Sequence, residues 1–166
     1  MGRPIPLRVV VTEEALSVCR RKARERHEKN RRLGLKDWAT DPTRTMAIDV
    51  EGMVGEWALS TVFPGEQWNT STANFSVRYD GDVGAFEIRT TTHPTGRLLV
   101  YEKDGDGKVF VLARLNRRLA YVDLEGWCYG EEAKRPQYWA GWMKIPCYRV
   151  PARDLRPVAT LLQRPS

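Results

Sequence analysis

At 166 residues, with 42% hydrophobic and 29% charged positions, the chain is long enough to bury a core as one globular unit without disulfide or metal staples. No apolar run nears the roughly 18 residues of a membrane span, and the apolar stretch near the amino terminus is too short for a secretory signal, so the cytosol is the expected location. The net charge of +6 and a pI near 9.4 favour polyanionic partners without identifying one.

Leu7 to Val11 is a short β-branched run, read as a strand or extended arm. It feeds a long helix from about Thr12 to Arg32, with the Thr12 hydroxyl as cap and Glu13 and Glu14 against the positive end of the dipole. Ala15, Cys19 and Ala23 give this helix only a narrow apolar stripe, which predicts a surface position with His27 exposed. Between Cys19 and Lys36 nine Lys/Arg face two Glu. Arg20, Arg21, Arg24 and Lys29 are therefore candidate phosphate contacts, with a merely solvated basic face as the alternative. The polar stretch Asp37 to Thr45, with Pro42, reads as a loop.

A second helix is predicted over about Asp49 to Val62, stopped by Pro64-Gly65. Val50, Val54, Trp57 and Ala58 form one apolar face, and Met53, Leu59 and Phe63 cover much of the rest, so this helix is expected to be buried. Glu56 projects from the same greasy surface. A buried carboxylate needs a partner, and an arginine or a set of backbone donors would suffice.

Strand character then takes over. Phe75 to Tyr79 and Val83 to Thr92 alternate. Leu98 to Glu102 and Val109 to Leu112 flank the turn Asp104-Gly105-Asp106-Gly107, which predicts an antiparallel hairpin. A hairpin turn is favoured over a calcium loop there, because Lys108 occupies a ligand position and Val109 stands where the glycine should be. Leu119 to Leu124 is a further strand closed by Gly126-Trp127, Glu131 to Trp139 a short helix interrupted by Pro136, and Tyr148 to Val150 a late strand. Asp154 to Gln163 is helical at best. Helices, then strands, then helices give an α+β or mixed α/β domain, with residues 1–36 as a basic arm and helix and 46–151 as the core. Cys19, Cys128 and Cys147 lack metal-ligand spacing and read as reduced, mostly buried thiols.

Chemistry concentrates in one strand. Alternation puts Phe86 and Ile88 on one side of Val83 to Thr92, and Glu87, Arg89 and Thr91 on the other. Glu87 and Arg89 alone would make an ordinary same-face salt bridge. Asp82, however, sits at the mouth of the strand, where Val83-Gly84-Ala85 can bring it toward Glu87, and Glu56 lies upstream. Asp80 is an alternative to Asp82, and the positions of Asp123 and Glu125 are left open. Acids converging beside a cation suit Mg²⁺, which takes one or two carboxylates and completes its shell with water and phosphate oxygen.

The spacing Asp82-x4-Glu87-x-Arg89, after a helix carrying Gly55-Glu56-Trp57-Ala58, resembles the PD-(D/E)xK signature of the restriction-endonuclease-like nucleases. DVGAFEIRTT, YVDLEGW and EEAKRPQYW are similar to segments of small nuclease-like proteins common in phage genomes, over about Glu51 to Pro151. The resemblance implies a mixed central sheet flanked by helices. It also implies Mg²⁺ or Mn²⁺ held by Asp82, Glu87 and the Ile88 carbonyl, with Glu56 completing the acidic set. The activity would be hydrolysis of DNA phosphodiester bonds, in a host cytosol if the chain is phage-encoded, by a protein whose oligomeric state is open and includes a homodimer. Arg89 departs from the pattern, which has lysine there. Arginine stays protonated and cannot act as a general base, but its fork can orient a phosphate. A nucleic-acid-binding protein of the same fold with weakened catalysis is therefore the alternative.

His93, before Pro94, reads as a solvated loop histidine. Trp127, Trp139 and Trp142, with Tyr129, Tyr138 and Tyr148, can stack on unpaired bases, although core or lid packing is the commoner use of such a cluster.

Overall fold

The computed structural model describes residues 2–34, 42–70 and 81–163. The expected strand Phe75 to Tyr79 and the alternative acid Asp80 lie outside these residues. Strand β1 (Leu7–Val10) leads into helix α1 (Glu13–Arg32), which is followed by α2 (Pro42–Val62). Strands β2 (Phe86–Thr91), β3 (Leu98–Val100), β4 (Val109–Leu115) and β5 (Tyr121–Tyr129) come next, then α3 (Gly130–Ala133), β6 (Trp139–Ala140) and β7 (Cys147–Val150). Single 3-10 turns at Ala152–Asp154 and Val158–Thr160 replace the helix expected near the carboxyl end.

The strands form a four-stranded sheet in the order β1-β5-β4-β2 and a three-stranded sheet in the order β3-β7-β6. In the first sheet β2 runs parallel to β4, and the other pairs are antiparallel, so the fold is mixed α+β with a mixed sheet. Strand β4 explains the layering. Val109, Val111 and Ala113 point into a core shared with Cys19 and Ala23 of α1 and Met53, Val54, Ala58 and Leu59 of α2. Phe110 and Leu112 point the other way, onto Leu98, Val100 and Val150 of the second sheet. The four-stranded sheet is thus buried between the helices on one face and the small sheet on the other.

This double burial overturns the expected hairpin. Both edges of β4 are occupied, by β2 and β5, so β3 cannot pair with it and joins β7 instead, Leu98 facing Val150. The consecutive apolar run Val109-Phe110-Val111-Leu112 is the pattern of a strand covered on both faces. The Asp104 to Gly107 turn crosses between sheets rather than closing one. Strand β5 likewise continues through Gly126-Trp127 to Tyr129, with a register shift opposite Leu112 and Ala113 that leaves Glu125 as the extra residue.

Helix α1 matches expectation at its start, where Thr12 Oγ1 accepts a hydrogen bond from the Ala15 N–H at 3.1 Å. Its buried stripe runs one turn further than expected, through Ala15, Cys19, Ala23 and His27. His27 is buried, not exposed, and its Nδ1 lies 3.3 Å from Asp49 Oδ2. With β1 paired to β5, the amino-terminal stretch is built into the core. Helix α2 begins at Pro42, inside the expected loop, because proline costs nothing in a first turn whose N–H groups have no intrahelical acceptor.

Candidate functional site

The strand that carries Glu87 and Arg89 is the edge of the larger sheet, and its entry is a tight turn. The N–H groups of Asp82 and Val83 donate to the Phe86 carbonyl at 2.8 and 3.2 Å, and the Phe86 N–H returns to the Val83 carbonyl at 2.9 Å. Gly84 supplies the left-handed φ of +54° that this reversal needs. The turn folds Asp82 back along the free edge of β2, where its Oδ2 accepts the Ile88 N–H at 2.8 Å. A residue in an extended strand aims its N–H and C=O at the same edge, so the Ile88 carbonyl faces the Asp82 side. Asn69 pins the turn from outside, donating its N–H to the Asp82 carbonyl at 2.9 Å and its Nδ2 to the Gly81 carbonyl at 2.6 Å.

Helix α2 crosses the same strand at Gly55, where a Cβ would lie 2.0 Å from Thr90 Oγ1. That close approach brings Glu56 down beside the strand. Glu56 is buried, 6% exposed, and receives a bidentate pair from Arg26, Nη1 to Oε1 at 3.0 Å and Nη2 to Oε2 at 3.1 Å. The Trp68 indole N–H adds a third bond at 3.1 Å. The arginine partner expected for a buried carboxylate is therefore present, and it comes from the basic helix.

Glu87 Oε1 accepts from Lys108 Nζ at 2.7 Å, while Arg89 Nη1 stands 3.7 Å from Glu87 Oε2. Arg89 is committed mainly elsewhere. Its Nε donates to the Leu99 carbonyl at 3.2 Å, its Nη2 to Asp104 Oδ2 at 3.0 Å, and its guanidinium lies 5.3 Å from the centroid of the Phe110 ring. Arg89 thus cross-links the edge of one sheet to the β3 strand of the other.

Asp82 differs from both glutamates. Among the described residues it makes no salt bridge. Burial, together with the like charges of Glu56 and Glu87, pushes its carboxyl up to about 7, against the opposing pull of the Ile88 N–H and Arg89. Asp82 feels the charge of both glutamates, and it alone of the three acids forms no salt bridge among the described residues. Oxygen donors of this kind suit a hard divalent ion. Among the described residues no three Asp, Glu, His or Cys side chains gather closely enough to hold a metal on their own. A cation here would therefore rest on two carboxylates and draw water or phosphate oxygens for the remainder.

Of the basic-helix candidates, Arg20, Arg21 and Arg24 are exposed and Lys29 is half-buried, and none of the four forms a salt bridge among the described residues. Asp123 pairs with Arg8, its Oδ1 2.8 Å from Arg8 Nε, and Glu125 is buried between Arg3 and Arg114, so both are satisfied away from Asp82. His93 is exposed and accepts at Nδ1 from the Thr95 N–H. Trp127 is buried, whereas Trp139 and Trp142 are exposed. All three cysteines are free and buried, and burial pushes the Cys19 and Cys128 thiols up to about 12.

Two cations of the site escaped the sequence reading. Arg26 sits three residues after Ala23, on the edge of the buried stripe, and that spacing was the available signal within the basic run. Lys108 reaches Glu87 only because β2 and β4 are parallel neighbours, which nothing in the local spacing announces. No protein-family model, curated protein or solved structure matches this chain.

Proposed function

We propose that the protein is a divalent-metal-dependent deoxyribonuclease of the PD-(D/E)xK type with a restriction-endonuclease-like core. The observation that carries this reading is Asp82, a partly buried carboxyl that forms no salt bridge among the described residues and is raised to about 7 by burial and the charges of Glu56 and Glu87. Charge of that kind is costly in a resting fold, and active sites are where such cost is tolerated. Asp82 and Glu87, with the Ile88 carbonyl on the same edge, are the groups that would hold Mg²⁺ or Mn²⁺. When bound, the ion supplies Lewis-acid polarisation of a phosphoryl oxygen and a water acidic enough to attack.

The chain's own residues would divide the remaining work. Asp82 must lose its proton to serve as a ligand. Glu56, held by Arg26 and Trp68, stands beside it. Lys108, adjacent to Glu87 and 42% exposed at its side chain, would supply the lysine charge that the strand lacks at Arg89. Arg89 holds Asp104 and the second sheet in place while adding positive potential near a scissile phosphate. The exposed Arg20, Arg21 and Arg24 face would track the DNA backbone.

Cleavage of DNA followed in Mg²⁺, Mn²⁺ and EDTA tests this reading. Activity should require the metal and vanish in Glu87→Ala and Asp82→Ala, and retention in both variants would remove the site. The second reading, a DNA-binding protein without turnover, is favoured by the engagement of Arg89 with Asp104 and Leu99. It predicts salt-dependent binding with no cleavage in any divalent metal.

A further inference from the structure

Beside Glu56 and Arg89 lies a cavity of about 450 Å³, walled by α2, β2, the segment after it, and strands β3 and β7. Its volume falls in the range of about 300–1,000 Å³ that accommodates one small molecule, which admits a nucleotide but not a paired helix. Arg97 and Arg149 line it, and neither forms a salt bridge among the described residues. Arg149 Nε is buried and has no hydrogen-bond partner among the described residues. A guanidinium group in that condition favours an anion. Glu51 and Glu56 share the wall, but Glu56 is already neutralised by Arg26.

The rim adds a second, independent feature. The connection between β6 and β7 carries Trp142, 75% exposed, and Ile145, 40% exposed, and Trp139 in β6 is 42% exposed. Arg149 joins the rim to the cavity, its guanidinium 5.1 Å from the centroid of the Trp142 ring. An exposed tryptophan beside an arginine that forms no salt bridge among the described residues is the arrangement that holds nucleic acid by base stacking and phosphate contact, and only an unpaired base offers a free face to stack.

We infer that this cavity and its tryptophan rim bind an unpaired DNA strand, with a base on Trp142 and its phosphate against Arg97 and Arg149. The proposal deepens the nuclease reading and rests on it for the place of Glu56, since it makes single-stranded or frayed DNA the substrate class.

Binding measured in EDTA separates the two ideas, because no cleavage is needed. Fluorescence anisotropy of labelled oligo-dT, an oligo-dT hairpin duplex with dA, and oligo-rU should show tighter binding to the single DNA strand. Trp142→Ala should weaken oligo-dT binding by about tenfold or more, Trp142→Phe should retain most of it, and duplex binding should not change. Arg97→Ala and Arg149→Ala should each weaken it and flatten its salt dependence. Equal affinity for single strand and duplex, an unchanged Trp142→Ala variant, or preference for oligo-rU would each overturn the proposal. So would concentration-dependent self-association abolished by Trp142→Ala, which would assign the rim to a second copy of the chain. If oligo-dT binding depends on Trp142 and no metal supports cleavage, the nuclease reading fails while this one stands. Metal-dependent duplex cleavage indifferent to Trp142 gives the reverse.

Discussion

Asp82 is where sequence position and physical cost meet. Its carboxyl, raised to about 7, stays protonated in the folded protein over a pH range in which the unfolded chain has released that proton. The folded state therefore binds more protons between the ordinary carboxylate range and about 7, and stability falls as pH rises through that window. Each pKa unit corresponds to about 1.4 kcal/mol, so the ionised group opposes folding above neutrality. Asp82→Asn keeps an oxygen for the Ile88 N–H and removes the charge. In urea melts without metal it should be more stable than the parent by on the order of 1 kcal/mol above neutral pH and show no gain in acid. A loss of stability at high pH would mean that the neighbouring charges are not those described. Arg26 behaves in the opposite sense, because it is the sole cationic partner that Glu56 has among the described residues. Arg26→Ala should cost about 3–5 kcal/mol in the same assay by stranding a buried carboxylate. The double variant with Glu56→Gln should recover much of that loss, and an unaltered melting curve in the single variant would contradict the pairing.

Among elements, the crossing of α2 over β2 positions the site most tightly. Gly55→Ala would press a methyl into Thr90 Oγ1, separating the helix from the strand and moving Glu56 with it. Destabilisation of about 1–3 kcal/mol is expected from overpacking, measurable by chemical denaturation, and Gly55→Ala combined with Thr90→Ala should restore most of it. The elements themselves were legible in the sequence to different degrees. Helix α1 announced itself through Thr12, Glu13 and Glu14, and the β2 alternation placed Glu87 and Arg89 together on the face opposite Ile88. The pairing of strands was not legible. The Asp104 to Gly107 turn is chemically a hairpin turn, and only the saturation of both β4 edges forces β3 into another sheet. A local turn signal loses here to the burial of β4 on both faces.

At the scale of the molecule, the charge distribution resolves into two populations that the composition merges. Arg3, Arg8, Arg26, Arg89, Arg114 and Arg156 are each paired with a carboxylate. Arg20, Arg21 and Arg24 remain on the open face of α1, exposed and without a salt bridge among the described residues. Arg97 and Arg149 at the cavity likewise form no salt bridge among the described residues, so the net charge of +6 is spread over more than one face. Neutralising Arg20, Arg21 and Arg24 together should lower DNA affinity uniformly across sequences and reduce the slope of log affinity against log salt by about one unit per lost phosphate contact. An unchanged slope would leave that face merely solvated. The acids of the proposed site are those the spacing singled out, whereas the cations that pair with them, Arg26 and Lys108, were not legible, because each arrives from a distant segment through packing.

Asp82 and Glu87 are proposed to form a divalent-cation site whose ionisation the fold resists until a metal arrives. Direct Mn²⁺ binding by isothermal titration is its most immediate test, since ligands must be deprotonated and metal uptake must release protons. The account predicts a single tight site at about pH 8, weaker at about pH 6 with proton release, and absent in Asp82→Asn, itself the more stable fold above neutrality. Mn²⁺ binding of equal strength in Asp82→Asn, or none in the parent protein at either pH, would contradict it.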